Sequence, residues 1–478
     1  MRAVVIGGGV AGLSAALNLA PMPVTLISAN PLEHDCSSML AQGGLAAAVG
    51  EGDNPIFHAQ DTISAGCGLV DIKIAHQVAR EAPSVIDMLC RLGARFDRQD
   101  NGLLSLGLEA AHSKRRIVRA KDATGKVTTQ TLAQAVRASK SITVLENAIA
   151  TSLLSDGRIY GVAVRIKDRI EFLPANAVVL ATGGAAALWK DTTNPLCNWG
   201  SGLALAARAG ATLADLEFVQ FHPTAIDVGG DPMPLASEAL RGEGCKLIDE
   251  NGERFIDELR PRDEVARAIW NKTANGKKVY LDARRALGKG FSKRFPNVYQ
   301  LCMSNGINPE IDTIPVKPAA HYHMGGIFTD ENGRSDVDGL WACGEVACTG
   351  LHGANRLASN SLVEAISFGA RCAKDIKSRI LSNKAKPALS GELSSAVSEQ
   401  DANFIRSVMS RDIGVVRNRI GLEAAIEKLS SISDKSDMAF VASMIAKSAL
   451  RRDVSCGSHF REDCALSMCN KSKAQQAA

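Results

Sequence analysis

Short apolar runs that end in small residues mark the first three quarters of the chain, and a three- and four-residue apolar spacing replaces them towards its end. Ala3-Val-Val-Ile6 predicts a buried parallel strand, Val10–Leu19 the helix behind it, and Val24-Thr-Leu-Ile27 a second strand, a compact β-α-β start. Two later runs, Ala177-Val-Val-Leu-Ala-Thr-Gly183-Gly184 and Gly339-Leu-Trp-Ala-Cys-Gly344-Glu345, have the same form. Apolar strands that finish in small residues are expected where backbone approaches a ligand at the carboxyl ends of a parallel sheet. Between these two runs, residues 216–322 are rich in Pro, charge and loop signals and predict an inserted α+β capping domain. After Ile376 the pattern turns helical: residues 404–416, 420–429 and 438–450 carry apolar positions at helical spacing, and a polar tail at 471–478 is expected to be disordered. The predicted fold class is α/β: a Rossmann-like domain from residues 1–215 and 323–385, the capping domain at 216–322, and a C-terminal helical bundle at 386–478. No internal repeat or low-complexity block interrupts this order.

Composition narrows the function classes. At 478 residues with 46% apolar content the chain suits two or three domains with substantial cores. A net charge of +4 and 4% aromatic residues give no reason to expect a nucleic-acid surface. An anionic substrate would have to be held by a few local Arg and His side chains. The twelve cysteines lack a CxxC pair or metal-ligand spacing, and most sit in apolar runs, as in Leu340-Trp-Ala-Cys343. They read as reduced small hydrophobes in a reducing cytosol. Met1-Arg2 leads straight into an apolar strand, which leaves no room for a signal peptide. The longest nearly apolar stretch, 175–189, is broken by Asn176, Thr182 and a Gly pair and is too short to span a bilayer. A cytoplasmic chain with no membrane and no nucleic-acid partner is therefore expected.

Gly7-Gly8-Gly9-Val10-Ala11-Gly12 satisfies GxGxxG directly after a strand and at the opening of a helix. Such a loop turns backbone N–H groups and a helix N-terminus towards a pyrophosphate. NAD and FAD both remain open at this point, because Ser28-Ala29-Asn30 stands where an acid usually ends the second strand. Ser37-Ser38-Met39-Leu40-Ala41-Gln42-Gly43-Gly44 adds the distinguishing block. With it the chain resembles the succinate dehydrogenase, fumarate reductase and L-aspartate oxidase superfamily, in which an AQGG segment runs beside the flavin. The resemblance continues in order through Ala181-Thr-Gly-Gly184, Gln220-Phe-His-Pro-Thr224, Arg241-Gly-Glu-Gly244, Pro261-Arg-Asp263, His321-Tyr-His-Met-Gly-Gly326, Gly344-Glu345, His352-Gly-Ala-Asn-Arg356 and Ser359-Asn-Ser-Leu362. It implies FAD as the cofactor, so that the Rossmann-like domain becomes an FAD-binding domain. The implied contacts are Gly7, Gly8, Gly9, Val10, Ala11, Gly12, Ser37, Ser38, Ala41, Gln42, Gly43, Gly44, Thr182, Gly183, Glu345, Ser361 and Leu362.

Two features are similar to the aspartate oxidase branch in particular. Membrane-linked members carry a His before AQGG that bonds covalently to FAD; Ser37 occupies that position and implies non-covalent FAD. Glu109-Ala-Ala-His112-Ser-Lys-Arg-Arg116, followed by Asp122-Ala-Thr-Gly125, looks like the aspartate oxidase loop. Ala29 and Ser201 depart from the branch, which usually has Lys and Asp there, at positions that touch FAD in the family.

Taken alone, His222 reads as a satisfied imidazole beside a proline and Arg356 as a surface salt-bridge partner. His321 and His323 form an HxH pair without a third ligand at sensible spacing, so no metal is expected. The resemblance gives another set of roles. His222, His321, Ser237 and Arg356 would hold the two carboxylates of a dicarboxylate, the Arg through its planar fork, and His323 would face elsewhere. Arg262 would carry the proton. A free guanidinium holds its proton up to about pH 12, so this role needs desolvation or a relay through neighbours. Glu109 would accept the substrate ammonium. The implied reaction is FAD-dependent oxidation of L-aspartate to iminoaspartate, with oxygen or fumarate reoxidising the flavin. It is the first step of de novo NAD biosynthesis by way of quinolinate, with quinolinate synthase as a possible partner. A soluble fumarate reductase or succinate dehydrogenase flavoprotein is the alternative enzyme, and a flavin-bearing scaffold without catalysis the alternative class.

Overall fold

The computed structural model describes residues 2–379 and 398–466. The expected 385/386 boundary and the polar tail at 471–478 lie outside the described residues. Five parallel strands form the central sheet in the order Leu340–Ala342, Ala177–Leu180, Ala3–Ile6, Val24–Ile27, Ile142–Leu145. Every residue of the strands Ala3–Ile6, Val24–Ile27 and Ala177–Leu180 is buried, as a parallel sheet covered on both faces requires. These three strands, and the helix Val10–Leu19, have the bounds their apolar runs predict. The edge strand Ile142–Leu145 is half-exposed, and its Ile-Thr-Val-Leu run, though similar to Val24-Thr-Leu-Ile27, was not singled out from the sequence.

The helix Val10–Leu19 lies between the sheet and the helix Ser361–Ser378, where Ser14 donates to the Ile366 carbonyl at 2.8 Å. Their approach depends on small residues: a Cβ on Gly369 would stand 2.8 Å from Ala11 O and 2.9 Å from Ala15 N. The strands Ala148–Ser155, Ile159–Ile166 and Arg169–Pro174 form a separate antiparallel sheet.

A second layer sits over the carboxyl ends of the central sheet. Its antiparallel sheet runs in the order Val219–Ile226, Ile314–His323, Val279–Asp282, Lys246–Asp249. It has its own core, in which Ile269, Leu281, Phe291 and Phe295 are buried together. The helices Glu238–Gly242 and Arg262–Thr273 belong to this layer.

Near the C-terminus the helices Glu399–Asp412, Arg419–Ser430 and Asp437–Arg451 pack against one another. Ser398, Asn418 and Ser436 cap them, each accepting a backbone N–H. The first helix does not reach residue 416, as the apolar spacing predicts, but ends at Asp412. Ile413 and Val415 are buried by tertiary contacts instead. The Ile413 carbonyl accepts the Trp189 indole N–H at 2.9 Å, and the buried Arg417 guanidinium donates to Glu217 O at 2.8 Å.

Candidate active site

The first strand is flanked by the strand Val24–Ile27 on one side and by Ala177–Leu180 on the other, so the strand order reverses direction at its carboxyl end. A crevice opens at such a point, and the glycine loop fills it. Gly7 has φ 122°, and a Cβ there would stand 2.1 Å from Ala181 O. On Gly8 a Cβ would meet Ser28 Oγ at 2.6 Å. Only bare backbone fits between the two strand ends.

A cavity of about 470 Å³ extends from this loop to the second layer. That is the size of a cofactor site and far more than a four-carbon dicarboxylate fills. Gly7, Gly8, Gly9, Val10 and Ala11 line it, as do Ser37, Ser38, Ala41, Gln42, Gly43 and Gly44. Thr182, Gly183, Glu345, Ser361 and Leu362 complete the expected cofactor set on its wall. Gly12 is absent from the lining. Its ideal Cβ would fall 1.9 Å from Gly7 O, so its place is beneath the loop, where it lets the helix close on the strand. Ala29 and Ser201 line the cavity as well. Ser37 Oγ donates to Asn194 Oδ1 at 2.5 Å and accepts from Asn198 Nδ2 at 2.6 Å. Burial pushes the Glu345 carboxyl up to about 7, although its Oε1 accepts the His323 N–H at 2.8 Å.

The same cavity brings together His222, Ser237, Arg262, His321, Arg356 and Glu109, six residues scattered over some 250 positions. His222 and His321 meet at 5.0 Å between ring centroids. Burial, with the charges of Arg262 and Arg356 nearby, holds both imidazoles well below their ordinary range, so both are neutral. His222 Nδ1 accepts the Thr224 N–H at 3.2 Å, which leaves the ring proton on Nε2 as a donor. His321 Nδ1 is 2.8 Å from Thr193 Oγ1. Ser237 caps the helix Glu238–Gly242 by accepting the Ala239 N–H, and its own hydroxyl proton stays available. Arg356 stacks over Tyr322 at 4.5 Å, donates to Gln220 Oε1 at 3.3 Å and to Ser361 Oγ, and burial brings its guanidinium down to about 10. His323 turns away, with Nε2 2.9 Å from Leu216 O. Among the described residues no cluster of three or more His, Cys, Asp or Glu could hold a metal ion.

Arg262 opens the helix Arg262–Thr273 and is buried; it donates through Nε to Glu238 and through Nη1 to Gln220 Oε1 at 3.0 Å. Glu238 also faces Arg241, at 3.4 Å. Glu238 was not singled out from the sequence, and Gln220 and Arg241 entered only as the first residues of their motifs, without a role. The available signal was an acid just after the expected Ser237 contact, with an Arg one helical turn beyond it. Gln220 accepts from both Arg262 and Arg356 and so fixes their relative placement.

Glu109 is buried, and its Oε2 accepts the Ser359 hydroxyl at 2.6 Å. The rest of its loop faces away from the cavity. His112 Nε2 is 3.0 Å from Ala358 O, and Arg116 is wholly buried in ion pairs with Asp53 and Asp61 at 2.9 and 2.6 Å.

The family described as FAD binding domain matches residues 2–362, and that described as Fumarate reductase flavoprotein C-term matches 434–470. An L-aspartate oxidase of Mesorhizobium japonicum is 50% identical over 471 residues, which cover 96% of this chain and 91% of the relative. One of Agrobacterium fabrum is 49% identical over 472 residues, covering 96% and 90%. A quinol fumarate reductase of E. coli superposes with a TM-score of 0.89 at 27% identity, over 98% of this chain and 92% of that one. Among the described residues, no helix is long and apolar enough to cross a membrane.

Proposed function

The chain belongs to the L-aspartate oxidase family of FAD-binding flavoproteins, and from that premise we propose that it oxidises L-aspartate to iminoaspartate. The observation that carries this reading is a single cavity in which two Arg, two neutral His and one hydroxyl meet Glu109, a carboxylate with no ion-pair contact among the described residues. The cationic and neutral donors suit a dicarboxylate; the carboxylate suits an ammonium.

The bare-backbone cradle of Gly7 and Gly8 and the length of the cavity fit FAD, which when bound supplies the two-electron acceptor. Ser37, satisfied by Asn194 and Asn198, offers no imidazole for covalent attachment, so FAD is held non-covalently. Arg356, through its fork, and His222, through Nε2–H, hold substrate carboxylates, with His321 and Ser237 completing the grip. Arg262 is desolvated and hydrogen-bonded to Glu238, so a proton reaching the guanidinium has an acceptor beside it. Glu109 takes the α-ammonium and distinguishes aspartate from succinate.

Oxygen or fumarate is the terminal electron acceptor. The product serves the quinolinate route to NAD in the cytoplasm, with quinolinate synthase as the consuming partner. Mixing the purified FAD-loaded protein with L-aspartate should bleach the flavin without air and form peroxide in air. Bleaching by a dicarboxylate that lacks the amine, and none by L-aspartate, would favour the fumarate reductase reading.

A further inference from the structure

Glu109, unlike Glu238, has no counter-ion in contact among the described residues. Glu238 has Arg262 and Arg241. For Glu109, the charged groups facing it from the surrounding elements are Glu238, Arg262, Arg119 and Arg241, and among the described residues none is in ion-pair contact with it. Its two oxygens are unequal. Oε2 accepts the Ser359 hydroxyl, while Oε1 is buried without a hydrogen-bond partner and lies 3.3 Å from where a Cβ on Gly43 would be.

Ser359 is constrained to make this contact. Its backbone is left-handed, φ 61°, and its two neighbours are pinned: Ala358 O by His112 Nε2 at 3.0 Å, and the Asn360 side chain by His58 at 2.7 Å and Thr62 at 2.9 Å. The Ser359 oxygen accepts the Gly44 N–H at 3.0 Å, so its one proton goes to Glu109 Oε2. A proton carried by Glu109 must then sit on Oε1.

We propose that Ser359 positions Glu109 so that Oε1 is its proton-bearing atom in the unliganded enzyme, and that binding an ammonium-bearing dicarboxylate expels that proton. This rests on the aspartate reading and extends it. The balance is simple: the neutral carboxyl and the ammonium dicarboxylate give a carboxylate–ammonium pair and one proton released to buffer. A dicarboxylate without the amine leaves the proton in place. Burial of Glu109 and the nearby Glu238 charge favour the neutral form, and the Ser359 hydrogen bond opposes it. Affinity for aspartate therefore weakens as pH falls, while affinity for the amine-free ligand does not follow it.

The test uses the FAD-loaded enzyme and two ligands that differ in the ammonium, with the flavin absorbance followed to confirm that neither is oxidised. 2-Methylaspartate keeps the ammonium but has no α-hydrogen; 2-methylsuccinate lacks the ammonium. Calorimetric titration in buffers of different ionisation heats, from about pH 5.5 to 8, counts protons exchanged on binding. Once the protons shed by each ligand's own carboxyls are subtracted, the expected result is release approaching one proton per 2-methylaspartate at the acid end, declining as pH rises, with 2-methylsuccinate releasing none. Glu109→Gln should abolish the release. Ser359→Ala should move its decline to higher pH, a shift that a merely structural serine would not produce. Equal proton counts for the two ligands, or 2-methylaspartate binding without release at the acid end, would overturn the inference and leave the aspartate reading intact. If only 2-methylsuccinate binds, the aspartate reading falls and takes this inference with it.

Discussion

Arg262 and Arg356 are both buried, both touch Gln220, and differ in their other partners: Arg262 has Glu238, whereas Arg356 has an aromatic face and a hydroxyl. A guanidinium beside a carboxylate has somewhere to pass a proton; one stacked on a ring does not. Arg262→Leu should therefore keep FAD and dicarboxylate binding but lose turnover by at least the roughly 10²–10⁴-fold that general acid–base catalysis contributes. Turnover within tenfold of the parent would remove Arg262 from the proton step. Glu109→Gln tests the other charge. A charge-assisted hydrogen bond is worth about 1.5–3 kcal/mol, so kcat/KM for aspartate should fall on the order of 10–100-fold. Fumarate reduction, which presents no ammonium, should fall far less; equal losses would make Glu109 structural. Ser37 gives a simpler measurement: acid precipitation should release all yellow colour to the supernatant, and colour kept in the pellet would mean covalent flavin.

Elements whose signal is local were the ones legible in the sequence. The strands Ala3–Ile6, Val24–Ile27 and Ala177–Leu180 and the helix Val10–Leu19 are set by continuous apolar runs and glycine turns, and they stand where those runs place them. The helix Glu399–Asp412 was misplaced at its end because Ile413 and Val415 are apolar for a tertiary reason that helical spacing imitates. Glu238 escaped notice for the same kind of reason: an acid in the first turn of a five-residue helix looks solvated, and its burial comes from Arg262, distant in sequence. Asp122 is a third case. It lies in the loop that resembles aspartate oxidases, yet its Oδ2 accepts the N–H groups of Asn297 and Val298, at 2.8 and 3.0 Å, and so caps the helix Pro296–Met303 from another part of the chain. Leu301 of that helix lines the cavity. Asp122→Ala should cost about 0.5–2 kcal/mol, as lost caps do. Amide exchange at residues 296–303 should accelerate while flavin content stays unchanged. Unaltered exchange there would show that the cap is not needed to seat the helix.

At the scale of the whole molecule, the unusual quantity is the number of imidazoles kept neutral. Of nine histidines, six are held below their ordinary range, each chiefly by burial. His58, His112 and His323 are brought down to about 4 and His459 to about 2, with His222 and His321 also well below. In the unfolded chain all six protonate near pH 6.5. Below that pH the unfolded state binds more protons than the folded one, so stability falls as pH falls. Glu345, raised to about 7, and Glu109, Asp122 and Asp215, also raised by burial, act in the opposite sense, because there the folded state binds the extra proton. Each fully active group is worth roughly 1.4 kcal/mol per pH unit, and six imidazoles outweigh four carboxyls. The net effect is on the order of a few kcal/mol per unit between about pH 6 and 4.5, a large fraction of the stability of an ordinary domain. The FAD-loaded protein should therefore lose melting temperature steeply across that interval, well before most carboxylates titrate. His459→Gln should flatten the slope without touching the cavity. A melting temperature that is level or rising from pH 6.5 to 5 would mean that the buried imidazoles gain protons without cost, and that their burial does not govern acid lability.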